Sequence, residues 1–262
     1  MGPREYYYRF LWGTLIVYRA LSLGWGVQSF TIACMIALGK LEPIDVAIHA
    51  DTTHESELTY KFKEKWEPFL VQRGMNVVTV TDELLGATVI DKYGSVLIPS
   101  FTIDQYGKKG QITRQCTDNW KRDPIKRYLQ KNRNNQQVEI LIGISVDEWT
   151  RAKDAPEKYI KHAWPLIDMK MSRNDCVDFL KRNNIEIPPK SSCTFCPFKT
   201  RNDWSRTRNN KHDWNEAVNV DTEIRNARLP GQLFIHKNCV PLTDADTYTE
   251  EEVGQMGLFE IS

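Results

Sequence analysis

Between Leu15 and Val80 the chain alternates short apolar runs with helix-periodic segments, with glycines at positions 24, 26, 39 and 74 marking three of the four changes of period. That alternation constrains the fold more than any other feature, because strands separated by crossover helices assemble into a parallel sheet covered by helices. Leu15 to Leu23 reads as a buried strand ending at Gly24, and Ser29 to Leu38 as a helix with Phe30, Ala33, Cys34 and Ala37 on one face, stopped by Gly39. Asp45 to Ala50 reads as a second strand, Glu57 to Arg73 as an amphipathic helix closed by Gly74, and Asn76 to Val80 as a third strand.

Farther along, Glu83 to Lys109 is turn-rich and shows no regular period. A basic helix is expected over roughly Thr117 to Asn132, and Val138 to Ser145 is a strongly apolar strand. Ser172 to Asn183 reads as a helix with Ser172 as N-cap and Asp175 at the capping-box position, and Arg201 to Arg228 as polar helix. We see no internal repeat and no low-complexity tract. The expected architecture is therefore α/β, a parallel sheet with flanking helices, in a first domain over 1–170. A smaller helical region bearing cysteines, 171–262, would pack on it.

The bulk composition excludes several classes. Of 262 residues, 41% are hydrophobic and 26% charged, which suits a water-soluble globular chain. The apolar run from Phe10 to Tyr18 is bounded by Arg9 and Arg19 and is far shorter than the ~20 residues of a spanning helix. No small-residue cleavage site follows it, so a cytoplasmic protein without membrane association is expected. Net charge is +1, so attraction to nucleic acid must be local. Such a patch lies between Gly107 and Arg133, where nine lysines and arginines face two aspartates. Six cysteines are too few to staple a domain of this size and read as thiols or metal ligands.

Five segments have residue types suited to chemistry. Ser22-Leu23-Gly24-Trp25-Gly26-Val27-Gln28-Ser29 lies between a strand and a helix, where glycines let backbone amides approach a phosphate and the helix N-terminus adds unpaired donors. His49-Ala50-Asp51-Thr52-Thr53-His54-Glu55-Ser56 follows the second strand, at the sheet edge where open α/β sheets bind ligands. Arg114-Gln115-Cys116-Thr117-Asp118-Asn119-Trp120-Lys121 opens the basic helix; cations there can clamp phosphate or sulfate and lower a thiol pKa. Gly143-Ile144-Ser145-Val146-Asp147-Glu148-Trp149-Thr150-Arg151 follows the fourth strong strand. Cys193-Thr194-Phe195-Cys196 brings two sulfurs to one side of a turn, which suits a metal. Cys116 and Cys239 are the candidate further ligands, since Cys34 and Cys176 lie on helices and read as buried thiols.

Taken in order, these segments resemble the PP-loop (ATP pyrophosphatase) superfamily, close to its phosphoadenosine-phosphosulfate reductase branch, which includes reductase-like proteins of phages and bacteria. The first segment is similar to the superfamily's S-G-G-x-D-S phosphate loop, with Gln28 in place of the aspartate. Asp51 and Thr52 match a D-T-G stretch, Cys116 and Lys121 an R-x-C-T-x-x-x-K segment, and Gly143, Glu148 and Arg151 a G-x-x-x-x-E-S-x-x-R stretch in which Trp149 replaces the serine.

The resemblance implies an adenine nucleotide alpha hydrolase-like fold and an enzyme that binds ATP with Mg2+ and releases pyrophosphate. That enzyme would adenylate an acceptor and act as a transferase, for instance by thiolating an RNA or DNA base with sulfur from a donor. Ser22, Gly24, Gly26, Gln28, Ser29, Asp51, Thr52, Gly143, Glu148 and Arg151 would hold the nucleotide, and Ser29, Arg114 and Lys121 would act in catalysis. Cys116, Cys193, Cys196 and Cys239 would bind an iron–sulfur cluster, with zinc as the alternative. A sulfonucleotide reductase supplied by a thiol reductant, and a nucleotide-binding regulator without turnover, are the other readings. The reductase reading lacks the C-terminal E-C-G-x-H motif, since Cys239 sits in His-Lys-Asn-Cys-Val-Pro.

Overall fold

A computed structural model of the chain describes residues 17–82, 88–113, 115–225, 227 and 231–252. The chain forms two compact units that interleave in sequence: the first comprises residues 1–50, 61–80 and 124–190, the second residues 51–60, 81–123 and 191–262. This division differs from the single boundary expected near residue 170. The reason is packing, since the helix after that point buries its side chains in the first unit's core, as described below.

The first unit is built on a five-stranded parallel sheet. Its strands are β1 (Val17–Ser22), β2 (Val46–Ala50), β3 (Val77–Val80), β6 (Gln137–Ile142) and β7 (Ile160–Ala163), in the order β3-β2-β1-β6-β7. Alternate residues of each strand feed two cores. Leu21, Ala47 and Leu141 pack in one cluster with α1 (Val27–Ala37), α2 (Glu57–Val71) and α5 (Arg173–Arg182). Ala20, Val46, Ile48, Val138 and Ile140 pack in another with Leu129 of α3 (Asp123–Asn132). Strands buried on both faces lose the polar alternation of a half-exposed sheet, which explains the near-continuous apolar runs of the sequence.

Local signals fix the ends of these helices. After α1 the Leu38 amide bonds the Cys34 carbonyl and Gly39 takes φ +67, the backbone that terminates a helix with a glycine beyond its last turn. Ser172 caps α5 in a full capping box with Asp175, as the sequence predicts. Cys34 and Cys176 are fully buried, and burial pushes their thiols up to about 12 and about 11 respectively. A four-residue helix, α4 (Pro165–Asp168), carries the buried Leu166 into the same core.

The second unit contains a three-stranded antiparallel sheet, order β5-β4-β8, formed by β4 (Ser100–Ile103), β5 (Lys109–Ile112) and β8 (Gln232–Phe234). Its core gathers Val96, Ile98, Trp120, Phe195, Trp204, Ala217, Ile224 and Ile235. The polar helix expected over Arg201 to Arg228 is two helices, α6 (Arg201–Asn209) and α7 (Lys211–Arg225). Asn210 breaks it by leaving helical geometry (ψ 110) and accepting a bond from the Asp213 amide through its side-chain oxygen, the role of an N-cap. The basic helix begins with a π-helical turn, Asp118–Arg122, and continues as α3.

Among the described residues no helix is long and apolar enough to cross a membrane. Most of the apolar N-terminal run lies outside the described residues.

Candidate functional site

In the first unit the chain runs outward from β1 toward β2 and β3, then returns to build β6 and β7 on β1's other side. The order therefore reverses between β1 and β6, whose residues pair from Val17↔Gln137 to Ser22↔Ile142. In open α/β sheets the crevice beyond the strand ends at such a reversal is where ligands sit, because the two following loops diverge there. The loops that follow are Leu23 to Gly26, leading into α1, and Gly143 to Arg151.

Trp25 takes φ +54, a left-handed backbone uncommon for a bulky residue, and its ring is fully buried. It packs at 5.9 Å from Phe30 and 6.4 Å from His49, while the His49 Nδ1 lies 3.2 Å from the Leu23 carbonyl. The ring thus anchors the turn from beneath. Gly24 has open space where a Cβ would stand.

Helix α1 starts bare. Its N-cap is Gly26, no side chain caps it, and its first turn holds no acidic residue. Its first backbone bond runs from Phe30 to the Gly26 carbonyl, which leaves the amides of Val27, Gln28 and Ser29 without intrahelical acceptors. The Ser29 hydroxyl donates to the Gly26 carbonyl at 3.3 Å. Gly143 lies directly across. A Cβ there would stand 2.5 Å from the Ser29 nitrogen and 2.8 Å from its Cα, so only glycine lets the chain after β6 pack this closely against the start of α1. Bare amides at the positive end of a helix dipole suit phosphate oxygens.

The polar side chains of the crevice are linked. Gln28 Nε2 donates to Glu148 Oε2 at 3.1 Å and to the buried Ser145 hydroxyl at 3.5 Å, while Arg151 donates to Glu148 Oε1 at 2.8 Å. Glu148 lies on a 3-10 turn, Val146–Arg151, with Trp149 beside it at 66% exposure. Sequence reasoning missed Ser145; the available signal was a hydroxyl two residues past the glycine that ends the reversal strand. Ser22, Gly24, Gly26, Gln28, Ser29, Gly143, Glu148 and Arg151 all belong to this unit.

Asp51 and Thr52 belong to the second unit instead. Asp51 Oδ1 accepts from the Thr53 amide and the Tyr60 hydroxyl, both at 2.8 Å, so it shapes its own loop. Thr52 Oγ1 lies 3.5 Å from the Cys193 sulfur. Glu55 forms a backbone bridge with Cys193, and the Thr194 amide donates to the His54 carbonyl at 2.8 Å, so the cysteine turn is zipped along this segment. The Glu55 carboxylate, 2% exposed, accepts from Lys121 Nζ at 3.0 Å and from the Ser191 hydroxyl at 3.3 Å. The π-helical turn sets this pairing, burying Trp120 while Lys121 reaches Glu55. Burial pulls the Lys121 ammonium pKa down, but the Glu55 carboxylate and the sulfurs of Cys193 and Cys116 outweigh it, and the net shift is upward. Arg114 lies outside the described residues.

Burial pushes the Cys193 thiol up to about 12, with Glu55 adding to the rise and Lys121 opposing it. Lys199, missed in the sequence although three residues past Cys196, has its pKa lowered by burial against the raising effect of Cys196. Cys193 and Cys196 share the expected turn through the bond from the Cys196 amide to the Cys193 carbonyl. Cys239 is 8% exposed, and its sulfur donates to the Thr102 carbonyl at 3.7 Å. Among the described residues no three histidine, cysteine or acidic side chains are grouped closely enough to hold a metal. Among the described residues the four expected thiolate ligands are thus not assembled as a set, although Cys116 and Cys193 both act on the Lys121 charge. Sequence spacing brings together only the two thiols of one turn; the other two depend on non-local packing.

No family model matches the chain, and no curated protein does. Several solved structures are similar to it, including two over most of its length. One is phosphoadenylyl-sulfate (PAPS) reductase from Candida auris in a phosphate complex, at 14% identity over 72% of this chain and 82% of that chain, with a TM-score of 0.44. The other is U34-tRNA thiolase NcsA from Methanococcus maripaludis with its 4Fe-4S cluster, at 13% identity over 87% of this chain and 79% of that chain, with a TM-score of 0.41.

Proposed function

We propose that the chain is a nucleotide-binding enzyme that holds the phosphates of ATP at the N-terminus of α1 and splits AMP from pyrophosphate to activate an acceptor. The observation that carries this reading is the first turn of α1 at the strand-order reversal, packed against Gly143 and with no side-chain cap, whose first three amides have no intrahelical acceptor. Fixed main-chain donors at this position stabilise charge that grows on a leaving pyrophosphate without having to reorganise. The Ser29 hydroxyl, now turned to the Gly26 carbonyl, is placed to add a further donor by rotating. Gln28 holds Glu148 by a hydrogen bond, and Arg151 neutralises that carboxylate, which keeps negative charge from opposing the phosphates. The indole of Trp149 offers an exposed flat face for the nucleobase.

Magnesium, when bound with ATP, supplies charge neutralisation at the phosphates; Glu148 is the crevice carboxylate available to it, in exchange for Arg151 or Gln28. An acceptor activated as its adenylate would then be modified, and base thiolation is the form of that chemistry implied by the resemblance. The sulfonucleotide reductase reading has less support, because it requires a mobile thiol near the C-terminus and Cys239 is buried against Thr102.

The test is pyrophosphate release from ATP in the presence of RNA or DNA acceptors. Release that falls at least tenfold in Ser29→Ala supports the enzyme. Tight ATP binding without release in any acceptor's presence supports the regulator reading instead. Trp149→Ala is expected to weaken ATP binding while leaving inorganic pyrophosphate binding unchanged, as measured by calorimetric titration.

A further inference from the structure

The second unit contains a short duplication, which corrects the sequence reading of no internal repeat. Ile90-Asp91-Lys92-Tyr93-Gly94 and Ile103-Asp104-Gln105-Tyr106-Gly107 are the same pentapeptide but for one residue, thirteen positions apart. They fold identically. In the first, Asp91 Oδ1 accepts from the amides of Tyr93 and Ser95, each at 2.8 Å; in the second, Asp104 Oδ1 accepts from Tyr106 and Lys108, each at 2.9 Å. The glycine amide bonds the aspartate carbonyl at 3.0 Å in both, and the aspartate amide bonds the carbonyl four residues on, at 2.9 Å and 3.0 Å. Gly94 and Gly107 take φ +86 and +80, the left-handed position that closes such a hairpin turn.

Each turn therefore holds its tyrosine on a backbone locked by four hydrogen bonds, and each tyrosine stands in solvent, Tyr93 at 78% exposure and Tyr106 at 85%. Two rings so exposed on repeated rigid turns contrast with the burial of Trp120, Phe195 and Trp204 in the same unit, and exceed the exposure of its Phe198 (47%) and Tyr248 (39%). Positive charge accompanies both. The Lys92 ammonium sits 5.0 Å from the centre of the Tyr93 ring, Lys108 and Lys109 follow Tyr106, and this second turn opens the most basic stretch of the chain.

We propose that the turns at Tyr93 and Tyr106 are a pair of stacking platforms for the bases of a single-stranded nucleic acid whose phosphates meet Lys92, Lys108 and Lys109. A ring face takes any base, a lysine beside it takes the adjoining phosphate, and a turn already ordered loses little entropy when it binds. Charge decides against a protein partner of ordinary composition, since the lysines favour a polyanion. The inference goes beyond the phosphate site of the first unit and does not depend on it.

Fluorescence anisotropy of the full chain with labelled 12-nucleotide oligouridine and oligothymidine, at low and at physiological salt, tests it. Tyr93→Ala and Tyr106→Ala are each expected to raise Kd about five- to hundredfold, and Tyr→Phe at either position to restore binding, since the ring is kept. Lys108→Gln is expected to flatten the salt dependence. Both tyrosines are exposed, so an unchanged Tm in each variant excludes misfolding as the cause. A preference for one oligonucleotide that disappears with the tyrosines supports the proposal and identifies RNA or DNA as the source. No binding to either strand, binding indifferent to both tyrosines, or equal loss with the Phe variants overturns it. So does a tyrosine-dependent dimer seen by sedimentation with no change in strand affinity. ATP binding is expected to be unaffected by Tyr93→Ala and Tyr106→Ala, which separates failure here from failure of the phosphate site.

Discussion

Gly143 shows how one missing atom joins structure to binding. Alanine there would place its Cβ within 3 Å of backbone on α1, which cannot move aside as a flexible side chain does. Gly143→Ala is expected to destabilise the fold by ~1–3 kcal/mol, a typical overpacking cost, and to weaken ATP binding more than tenfold. Denaturant titration and nucleotide titration on the same sample measure the two effects. Trp25 acts from the other side of the same turn. Its backbone is left-handed and its indole nitrogen has no hydrogen-bond partner among the described residues, while its buried ring packs against Phe30 and His49. Trp25→Ala is expected to cost ~3–5 kcal/mol, the range for emptying a large aromatic site. In the second unit, Glu216 clasps the cysteine turn by accepting from His54 Nδ1 at 2.6 Å and the Thr194 hydroxyl at 2.8 Å. Burial raises its pKa, but these hydrogen bonds outweigh burial and the net shift is downward. A depressed carboxylate pKa contributes stability above the ordinary glutamate value of about 4.3 and loses it as pH falls toward the lower folded value. Thermal melts between pH 7 and pH 3 are expected to show that loss in the native chain and a shallower slope in Glu216→Gln.

At the scale of elements, what could be read from the sequence was whatever local periodicity and end signals specify. The β-α-β-α-β run was legible from its apolar spacing and glycines, and the capping box at Ser172 from two residues three apart. Ser172→Ala is expected to destabilise by ~0.5–2 kcal/mol, and urea titration would show it as a lower midpoint with an unchanged slope. The antiparallel sheet was not legible, because β5 is almost wholly exposed and β8 has three residues, so neither shows a period, and β8 pairs with a strand about 130 residues away. Asn210 was hidden because the polar pattern of α6 and α7 continues through it. The candidate phosphate site was legible for a related reason: its loops follow strands, and strand order turns loop position into crevice position. The metal reading needs four cysteines from three segments to converge, which spacing within the Cys193 turn does not determine.

On the scale of the whole molecule, interleaving sets which pieces can be removed. Residues 171–190 follow the expected domain boundary, yet Phe179, Leu180 and Ile185 are buried in the core that α1 and β1 share, and α5 brings the first two there. Each such side chain contributes ~1.5–3 kcal/mol on burial, so losing three approaches the ~5–15 kcal/mol net stability of an ordinary domain. A chain ending at residue 170 is therefore expected to lose cooperative unfolding and ATP binding together. One ending at residue 190 keeps every buried side chain of the first unit's two cores and every residue of the crevice between β1 and β6. It is expected to retain a cooperative melt that ATP shifts upward, while losing the nucleic-acid affinity of the tyrosine turns as their unit loses α6, α7 and β8. Calorimetry of the two truncated chains with and without ATP distinguishes the cases. If the 170-residue chain melted as cooperatively as the 190-residue one, with an equal shift on ATP, the assignment of α5 to the nucleotide-binding core would fail.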